Sequence, residues 1–418
     1  MKSAAFSRRD ALGLGAAAAL SAALNPARAL AAGTPELKPM TDGVKPIGRD
    51  EYLLRIEKAR RLMARHGIGA LFIEPGAAMT YFTGVRWWRS ERLTAIVLPR
   101  DGDIAIVTPQ FEAPSVGETL EVPAELRVWQ EDQDPLATVA GVLRDRKVRD
   151  PVGIEETVRY FAIDGLMRTL PDVQIMSGAA VVRGCRMLKS PNELALMQKA
   201  SDITLAAYRH AVPRIEKDMR PQDIGALMKT AHESLGAEHE FALVLLGEAS
   251  AYPHGSSKPQ SVRDGEVVLM DCGCSVHGYQ SDISRTLVFG AASAEQRKVW
   301  QQVRQGQQIA FETARAGIAA GAVDDAVRAQ YEKWGYGPGY QLPGTSHRTG
   351  HGIGLDGHEP VNLVHGELTP LAAGMCFSNE PGIYLPGKFG VRLEDCFHMG
   401  EKQPVWFSQP ADSLDKPV

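Results

Sequence analysis

Glu266-Val-Val-Leu-Met-Asp271-Cys-Gly-Cys-Ser-Val-His-Gly-Tyr-Gln-Ser-Asp282-Ile-Ser-Arg-Thr-Leu-Val-Phe289 is the stretch on which the reading of this chain turns. Glu266–Asp271 and Ser281–Phe289 are rich in β-branched and apolar residues and flank a glycine-containing turn at Gly278-Tyr279, which predicts a hairpin. Asp271 closes the first apolar run and Asp282 follows across the turn, so the hairpin can bring both carboxylates onto one face. Two like charges buried together are costly unless one is protonated or a cation neutralises both.

Further acids and a histidine downstream have the same character. Glu380 lies in Ser-Asn-Glu-Pro-Gly-Ile-Tyr after the apolar run Met375–Phe377, and Glu394 lies in Gly-Val-Arg-Leu-Glu-Asp. His351 sits in Thr-Gly-His-Gly-Ile-Gly, where the glycines let other groups approach closely. Four carboxylates and one imidazole make an oxygen-rich set suited to two divalent ions; a single nitrogen donor favours Mn or Fe, and Co or Zn would also suit. Two metals sharing carboxylates can hold a hydroxide at neutral pH and clamp a tetrahedral intermediate.

Outward from this set, alternating elements predict an α/β (α+β) chain in two parts. Asp50–His66 has helical apolar spacing at Leu53, Ile56, Leu62 and Met63 and stops at Gly67. Short strands are expected at Ile68–Ile73, Thr94–Leu98, Ile104–Val107, Val152–Ile154 and Val173–Met176, with a helix near 157–170. This first domain, 49–180, is expected to carry a mixed sheet. The second, 184–405, opens at the capping box Ser190-Pro-Asn-Glu193, which starts a helix to about Val212. Pro221–Leu235 is a second helix, Ser293-Ala-Glu-Gln296 caps a third that runs to about Ala316, and a fourth covers 322–334. Strands follow at Met375–Asn379, Gly382–Leu385 and Val391–Glu394. Helices then a hairpin, twice over, point to an internal duplication. A leader, 32–48, precedes these domains and a tail, 406–418, follows.

The chain has 418 residues, 44% of them apolar and 23% charged, with a net charge of -4. The size suits two globular domains, and the charge offers no case for nucleic acid or an anionic membrane as partner. Residues 1–31 read as a secretory signal: Ser7-Arg8-Arg9-Asp10, an uncharged Ala/Leu/Gly run to Leu24, then Ala27-Arg-Ala and Ala29-Leu-Ala exits. The paired Arg8-Arg9 points to the twin-arginine route, hence to a periplasmic or exported protein. Neither that apolar run nor any later segment is long enough to span a bilayer. Five cysteines, Cys185, Cys272, Cys274, Cys376 and Cys396, form no disulfide or zinc framework and read as small buried residues in strands.

With these residues in view, the chain resembles the pita-bread metallopeptidases: methionine aminopeptidase, aminopeptidase P and prolidase, with creatinase. The resemblance covers roughly residues 50–405 and is carried by Pro253-His254-Gly255, Asp271 with Asp282, Ser346-His347-x-x-Gly350-His351-Gly-Ile-Gly, His358-Glu359-Pro360, Asn379-Glu380-Pro381-Gly382 and Val391-Arg392-Leu-Glu394-Asp395. It is closest to the aminopeptidase P, prolidase and creatinase branch, because of the preceding domain. It implies a creatinase-like N-terminal domain and a pita-bread catalytic domain with pseudo-twofold duplication. It also implies Asp271 as bidentate ligand of one metal, Asp282 and Glu394 as bridges, and His351 and Glu380 as ligands of the other. Glu380 would double as proton shuttle, and His254 and His358 would contact the substrate carbonyl and developing oxyanion. His347 and Arg392 would line the proline-side pocket or brace the ligands. A homodimer is implied, with Trp87-Trp88 as one candidate for its rim. A neighbouring Gly352-x-Gly354-x-x-Gly357 lacks the strand before and helix after that a dinucleotide site needs.

The implied activity is hydrolysis of the bond before proline by a hydroxide bridging two metals. Prolidases of this resemblance carry an arginine between the second histidine and the E-P-G glutamate to hold a dipeptide's carboxylate. Between His358 and Glu380 this chain has none, with Asn362 and His365 the nearest polar residues, which tilts the expectation toward aminopeptidase P-like action. The alternatives are a prolidase-type dipeptidase, or a small-molecule hydrolase or lyase on the same scaffold, of the creatinase, ectoine hydrolase or dimethylsulfoniopropionate lyase kind. A ligand-free binding module of the same fold is disfavoured by the intact ligand set.

Overall fold

The computed structural model describes residues 37–418. Residues 1–31, for which the sequence suggests a signal, and the first residues of the leader lie outside the described residues.

The leading part is built on a six-stranded sheet. Its strands are β1 (Ala70–Ile73), β2 (Ala95–Pro99), β3 (Ala105–Pro109), β4 (Glu125–Trp129), β5 (Val152–Ile154) and β6 (Ile175–Ser177), in the order β4-β3-β2-β1-β5-β6. β1/β2 and β2/β3 are antiparallel, whereas β3/β4, β1/β5 and β5/β6 are parallel, so the sheet is mixed. β1, β2, β3 and β5 are buried throughout, as strands covered by helices on both faces must be. Helix Arg49–His66 ends at Gly67, whose φ of 67° is the left-handed conformation that glycine adopts without a Cβ penalty. Its buried stripe is Tyr52, Ile56, Ala59 and Met63; Leu53 is exposed, because the helix turns the tyrosine inward instead.

The second part contains two similar halves. In the first, helices Pro191–Ala211 and Pro221–Ser234 pack beside β7 (Glu238–Leu246), β8 (Val267–Val276), β9 (Tyr279–Gln280) and β10 (Ile283–Val288), in the order β10-β8-β7. In the second, helices Ala294–Thr313 and Gly321–Lys333 precede β11 (Gly350–Gly352), β12 (Glu359–Leu363), β13 (Cys376–Asn379), β14 (Gly382–Leu385), β15 (Phe389–Arg392), β16 (Asp395–Met399) and β17 (Pro404–Trp406). These form a β12-β11-β13-β16-β17 sheet and a β14/β15 ribbon. Both capping boxes are made: Ser190 Oγ accepts from Glu193 N while Ser190 N donates to the Glu193 carboxylate, and Ser293 with Gln296 repeats the pattern. Each such cap contributes about 1 kcal/mol.

One hydrophobic cluster runs from Ile56, Met63 and Leu71 of the leading part to Tyr208, Met270 and Cys272 of the second. A second cluster fills the later half around Trp300, Phe377 and Phe397. All five cysteines are buried and free. Cys185, however, lies in helix Ala179–Arg186 rather than a strand, where its small apolar side chain serves packing equally well. Among the described residues no helix is long and apolar enough to cross a membrane.

Candidate metal centre

Asp271 lies in mid-β8, paired with Ser284 of β10 on one side and Leu243 of β7 on the other. Asp282 stands at the break between β9 and β10, so the hairpin brings the two acids together without setting them in direct register. Glu394 lies between β15 and β16, tied to β10 by its backbone N donating to Ser284 O at 3.1 Å. Glu380 follows β13, and its N donates to Thr349 O at 2.9 Å. His351 is the middle residue of β11. A Cβ on Gly350 would lie 2.1 Å from Ser378 O and one on Gly352 2.6 Å from Glu359 O, so only glycines let β11 wedge His351 between β12 and β13.

These elements converge. Ligand atoms of Asp271, Asp282 and Glu394 lie within 4.8 Å of one another, as do those of His351, Glu380 and Glu394. His351 Nε2 is 3.2 Å from Glu380 Oε1 and 3.7 Å from Asp282 Oδ2. Asp271 Oδ1, Asp282 Oδ1 and Glu394 Oε1 are buried with no hydrogen-bond partner among the described residues. Buried carboxylate oxygens with no partner incur a large desolvation cost, and a divalent cation among them would remove it. Burial first, then the Asp271 and Glu380 carboxylates, push the Asp282 carboxyl well above the usual range. Burial, then Asp282 and Glu380, do the same to Glu394. For Glu380 burial acts upward, but the His351 hydrogen bond and the His351, His347 and Arg392 charges win and bring it to about 2.

The tautomer of His351 fits a ligand. Its Nδ1 lies 3.0 Å from Gly352 O, which can only accept, so Nδ1 carries a proton and Nε2, 3.2 Å from Glu380 Oε1, is the nitrogen turned to the cluster, where a bound ion would take its lone pair. The residues present therefore fit a pair of divalent ions: one imidazole nitrogen and several carboxylate oxygens, with orphaned lone pairs facing the shared space.

Around the ligands is a ring of donors. Buried Arg392 donates from Nη2 to Asp271 Oδ2 at 2.6 Å, from Nε to Ser284 Oγ at 3.0 Å and from Nη1 to Pro253 O at 3.1 Å. Ser284 Oγ in turn donates to Glu394 Oε2 at 2.7 Å, so one hydroxyl accepts from the arginine and donates to the acid. His347 Nδ1 faces Arg348 O at 2.8 Å and Nε2 faces the Tyr384 hydroxyl at 2.7 Å. Tyr384 also accepts from Arg392 Nη1 at 3.4 Å, and burial pushes its hydroxyl up to about 12. Arg392 thus braces Asp271 directly, and His347 is linked to it through Tyr384.

The two remaining histidines part company. His358 is exposed at the mouth, its ring stacked on that of His351 at 3.8 Å between centroids, and it reaches within 4.8 Å of Asp282 and His351 ligand atoms. Partial burial, then His351 and Arg348, lower it to about 4, so it is neutral at pH 7. His254 does not join the cluster. It is exposed beside Pro253 and lines an open cleft of about 470 Å³ with Leu243, Leu245 and Gln260. Sequence reasoning assigned nothing to Ser284, Tyr384 or Arg348, although each lies inside or beside a quoted block; only contacts between strands distant in sequence reveal them.

Comparison with known proteins agrees with this geometry. Residues 195–401 match metallopeptidase family M24, and residues 55–188 match the creatinase/prolidase N-terminal domain. The chain is 31% identical over 361 residues to a probable dipeptidase, PepE, of Mycobacterium tuberculosis, spanning 84% of this chain and 93% of that one. It is 28% identical over 345 residues to a Xaa-Pro dipeptidase of Pyrococcus furiosus, spanning 82% and 93%. The crystal structure of dipeptidase PepE from Mycobacterium ulcerans superposes with a TM-score of 0.80 at 28% identity, covering 88% of this chain and 99% of that one.

Proposed function

Because this chain belongs to metallopeptidase family M24, with a creatinase/prolidase N-terminal domain before the catalytic one, we propose that it is a Xaa-Pro peptidase of the dipeptidase kind. Asp271, Asp282, His351, Glu380 and Glu394 would hold two divalent ions, with Mn favoured by the oxygen-rich set. When bound, such ions supply Lewis acidity and activate water at neutral pH. The rest falls to the chain's own groups. Glu380, largely buried and beside His351, would take a proton from the attacking water and return it to the leaving proline nitrogen. His358, neutral and at the mouth, would donate to the substrate carbonyl oxygen as charge develops there. Arg392 and Ser284 hold Asp271 and Glu394 in place.

One observation carries the dipeptide reading. No arginine lies between His358 and Glu380, yet the Arg348 guanidinium reaches the same ground from the other side, donating to Asn362 Oδ1 at 3.0 Å and to His358 Nδ1 at 3.0 Å. A dipeptide's free carboxylate stands one residue past the scissile bond, where a cation beside His358 is well placed to meet it. The test compares Xaa-Pro dipeptides with Xaa-Pro-Yaa tripeptides and Xaa-Ala dipeptides on the Mn-loaded chain. We expect kcat/KM for Xaa-Pro to exceed both others by at least about tenfold, about 1.4 kcal/mol of discrimination. Tripeptides cleaved as well or better would favour aminopeptidase P-like action instead. No cleavage of any of them with metal bound would remove the peptidase substrate class.

A further inference from the structure

Geometry around the centre leaves one residue with two possible roles. His358 stands close enough to Asp282 and His351 to be counted with them as a third ligand of an ion, and equally well placed to act as a hydrogen-bond donor. The two roles need opposite tautomers: a ligand must offer a lone pair toward the centre, a donor an N–H. His351 has its proton fixed on Nδ1 by a carbonyl. His358 has no carbonyl partner among the described residues. Its Nδ1 lies 3.0 Å from Arg348 Nη2. A guanidinium has five N–H groups and no acceptor, and it stays charged, so whatever it bonds must accept. Nδ1 of His358 must therefore be bare, and the ring's one proton must sit on Nε2. A doubly protonated ring would set N–H against N–H.

Arg348 is itself held in place. Its Nη1 donates to Asn362 Oδ1 at 3.0 Å, and its carbonyl accepts from His347 Nδ1 at 2.8 Å. Asn362 is paired with His351 across β11/β12. The arginine is thus fixed at both ends to the frame that carries the metal ligands, and its grip on His358 is part of that frame.

We infer that Arg348 is a positioning residue: by occupying Nδ1 of His358 it holds that ring as an Nε2–H donor and withholds it from the metal set. Two stacked imidazoles, His351 and His358, are so given opposite states at Nδ1 by their outer partners, a proton on the ligand's Nδ1 by a carbonyl and none on the donor's by a guanidinium. The inference rests on the peptidase reading only for what the donor acts upon; the tautomer itself belongs to the protein without substrate.

Nitrogen NMR of the metal-free full chain, labelled at histidine, tests it, with the His358 signals assigned by their loss in His358→Gln. The parent chain should show His358 as a single Nε2–H tautomer and His351 protonated at Nδ1. In Arg348→Met the His358 signals should shift to a mixture of tautomers, while Arg348→Lys, which can also only donate, should restore the Nε2–H form. In the Mn-loaded enzyme, kcat at saturating Xaa-Pro should fall about tenfold in Arg348→Met, in line with loss of an aligned donor, and recover in large part in Arg348→Lys. An Nδ1–H form of His358 in the parent chain would overturn the inference whatever the variants do. So would an Arg348→Met protein whose His358 keeps the same single Nε2–H form. These readings do not depend on cleavage, so failure of the peptidase reading would leave them standing.

Discussion

Asp282 shows how a residue can be costly to the fold and necessary to the site. It is buried, its Oδ1 has no partner, and the Asp271 and Glu380 carboxylates stand near it. Among the described residues, the groups that could compensate a negative charge there are Arg392, already engaged with Asp271, and the His351 ring, whose Nε2 lies 3.7 Å from Asp282 Oδ2. Replacing it by asparagine keeps the shape and removes the charge. Asp282→Asn should therefore leave the metal-free chain as stable as the parent or more stable by about 1 kcal/mol, since a buried unpaired charge is worse than a neutral amide. The same change should weaken divalent binding by more than about 100-fold, beyond the effect common for groups that merely support a ligand. Denaturant melts and metal titration of the one variant read both. A variant that is less stable yet binds metal normally would show that Asp282 belongs to the packing and not to the centre.

At the level of elements, the turn that presents His358 is held by a buried ion triad. Glu359, first residue of β12, takes Lys189 Nζ at 2.9 Å and Arg186 on its two oxygens, and also accepts from Leu355 N at 3.0 Å and Asp356 N at 3.2 Å. Burial acts upward on this acid, but Lys189 and Arg186 bring it down to about 2. Glu359→Gln would leave the Lys189 ammonium buried without its counter-charge, at a cost of about 3–5 kcal/mol. Urea unfolding should show the midpoint fall with an unchanged slope, and kcat should fall too, because the 355–358 turn loses its template. An unfolding free energy within about 0.5 kcal/mol of the parent, the effect of an ordinary surface change, would deny the triad this role. Elements of this kind divide by how local their causes are. The capping boxes at Ser190 and Ser293, the buried strands β1 and β5, and the Asp271–Asp282 hairpin were legible because each depends on neighbours in sequence. β7 was not, since Glu238, His239 and Glu240 break its apolar pattern where the strand is exposed. The five clustered ligands were legible as residue types in strand context. Arg348, Ser284 and Tyr384 were not, because their roles come from partners at other points of the chain: Arg348 meets His358 across a turn, Ser284 meets Glu394 across two strands, and Tyr384 joins His347 to Arg392.

On the scale of the whole molecule, the metal centre sits in a body whose main hydrophobic cluster is continuous from helix Arg49–His66 to β8, so occupancy of the centre should be felt by the entire fold. The sign of that coupling follows from the acids. Asp282 and Glu394 have folded-state pKa values raised above those of an unfolded chain, by burial first and by neighbouring carboxylates second. A raised carboxyl contributes stability that is fully present below the unfolded pKa, near 4, and is lost as pH climbs through the folded value. Glu380, held low by His351, stays ionised and adds to the repulsion as the others lose their protons. The metal-free chain should therefore weaken with rising pH, each unit of upward displacement costing about 1.4 kcal/mol once the group ionises. Divalent cations bind the ionised carboxylates, so their binding should release protons, and the Tm gained on saturation with Mn should be larger at pH 8 than at pH 5.5. Calorimetric titration in buffers of different ionisation enthalpy counts the protons, and paired melts with and without metal isolate this effect from acids and histidines elsewhere in the fold. A Tm gain that stays flat or shrinks between those two pH values would mean that the four carboxylates are already ionised without metal, and that the charge of the centre is balanced by the Arg392 network alone.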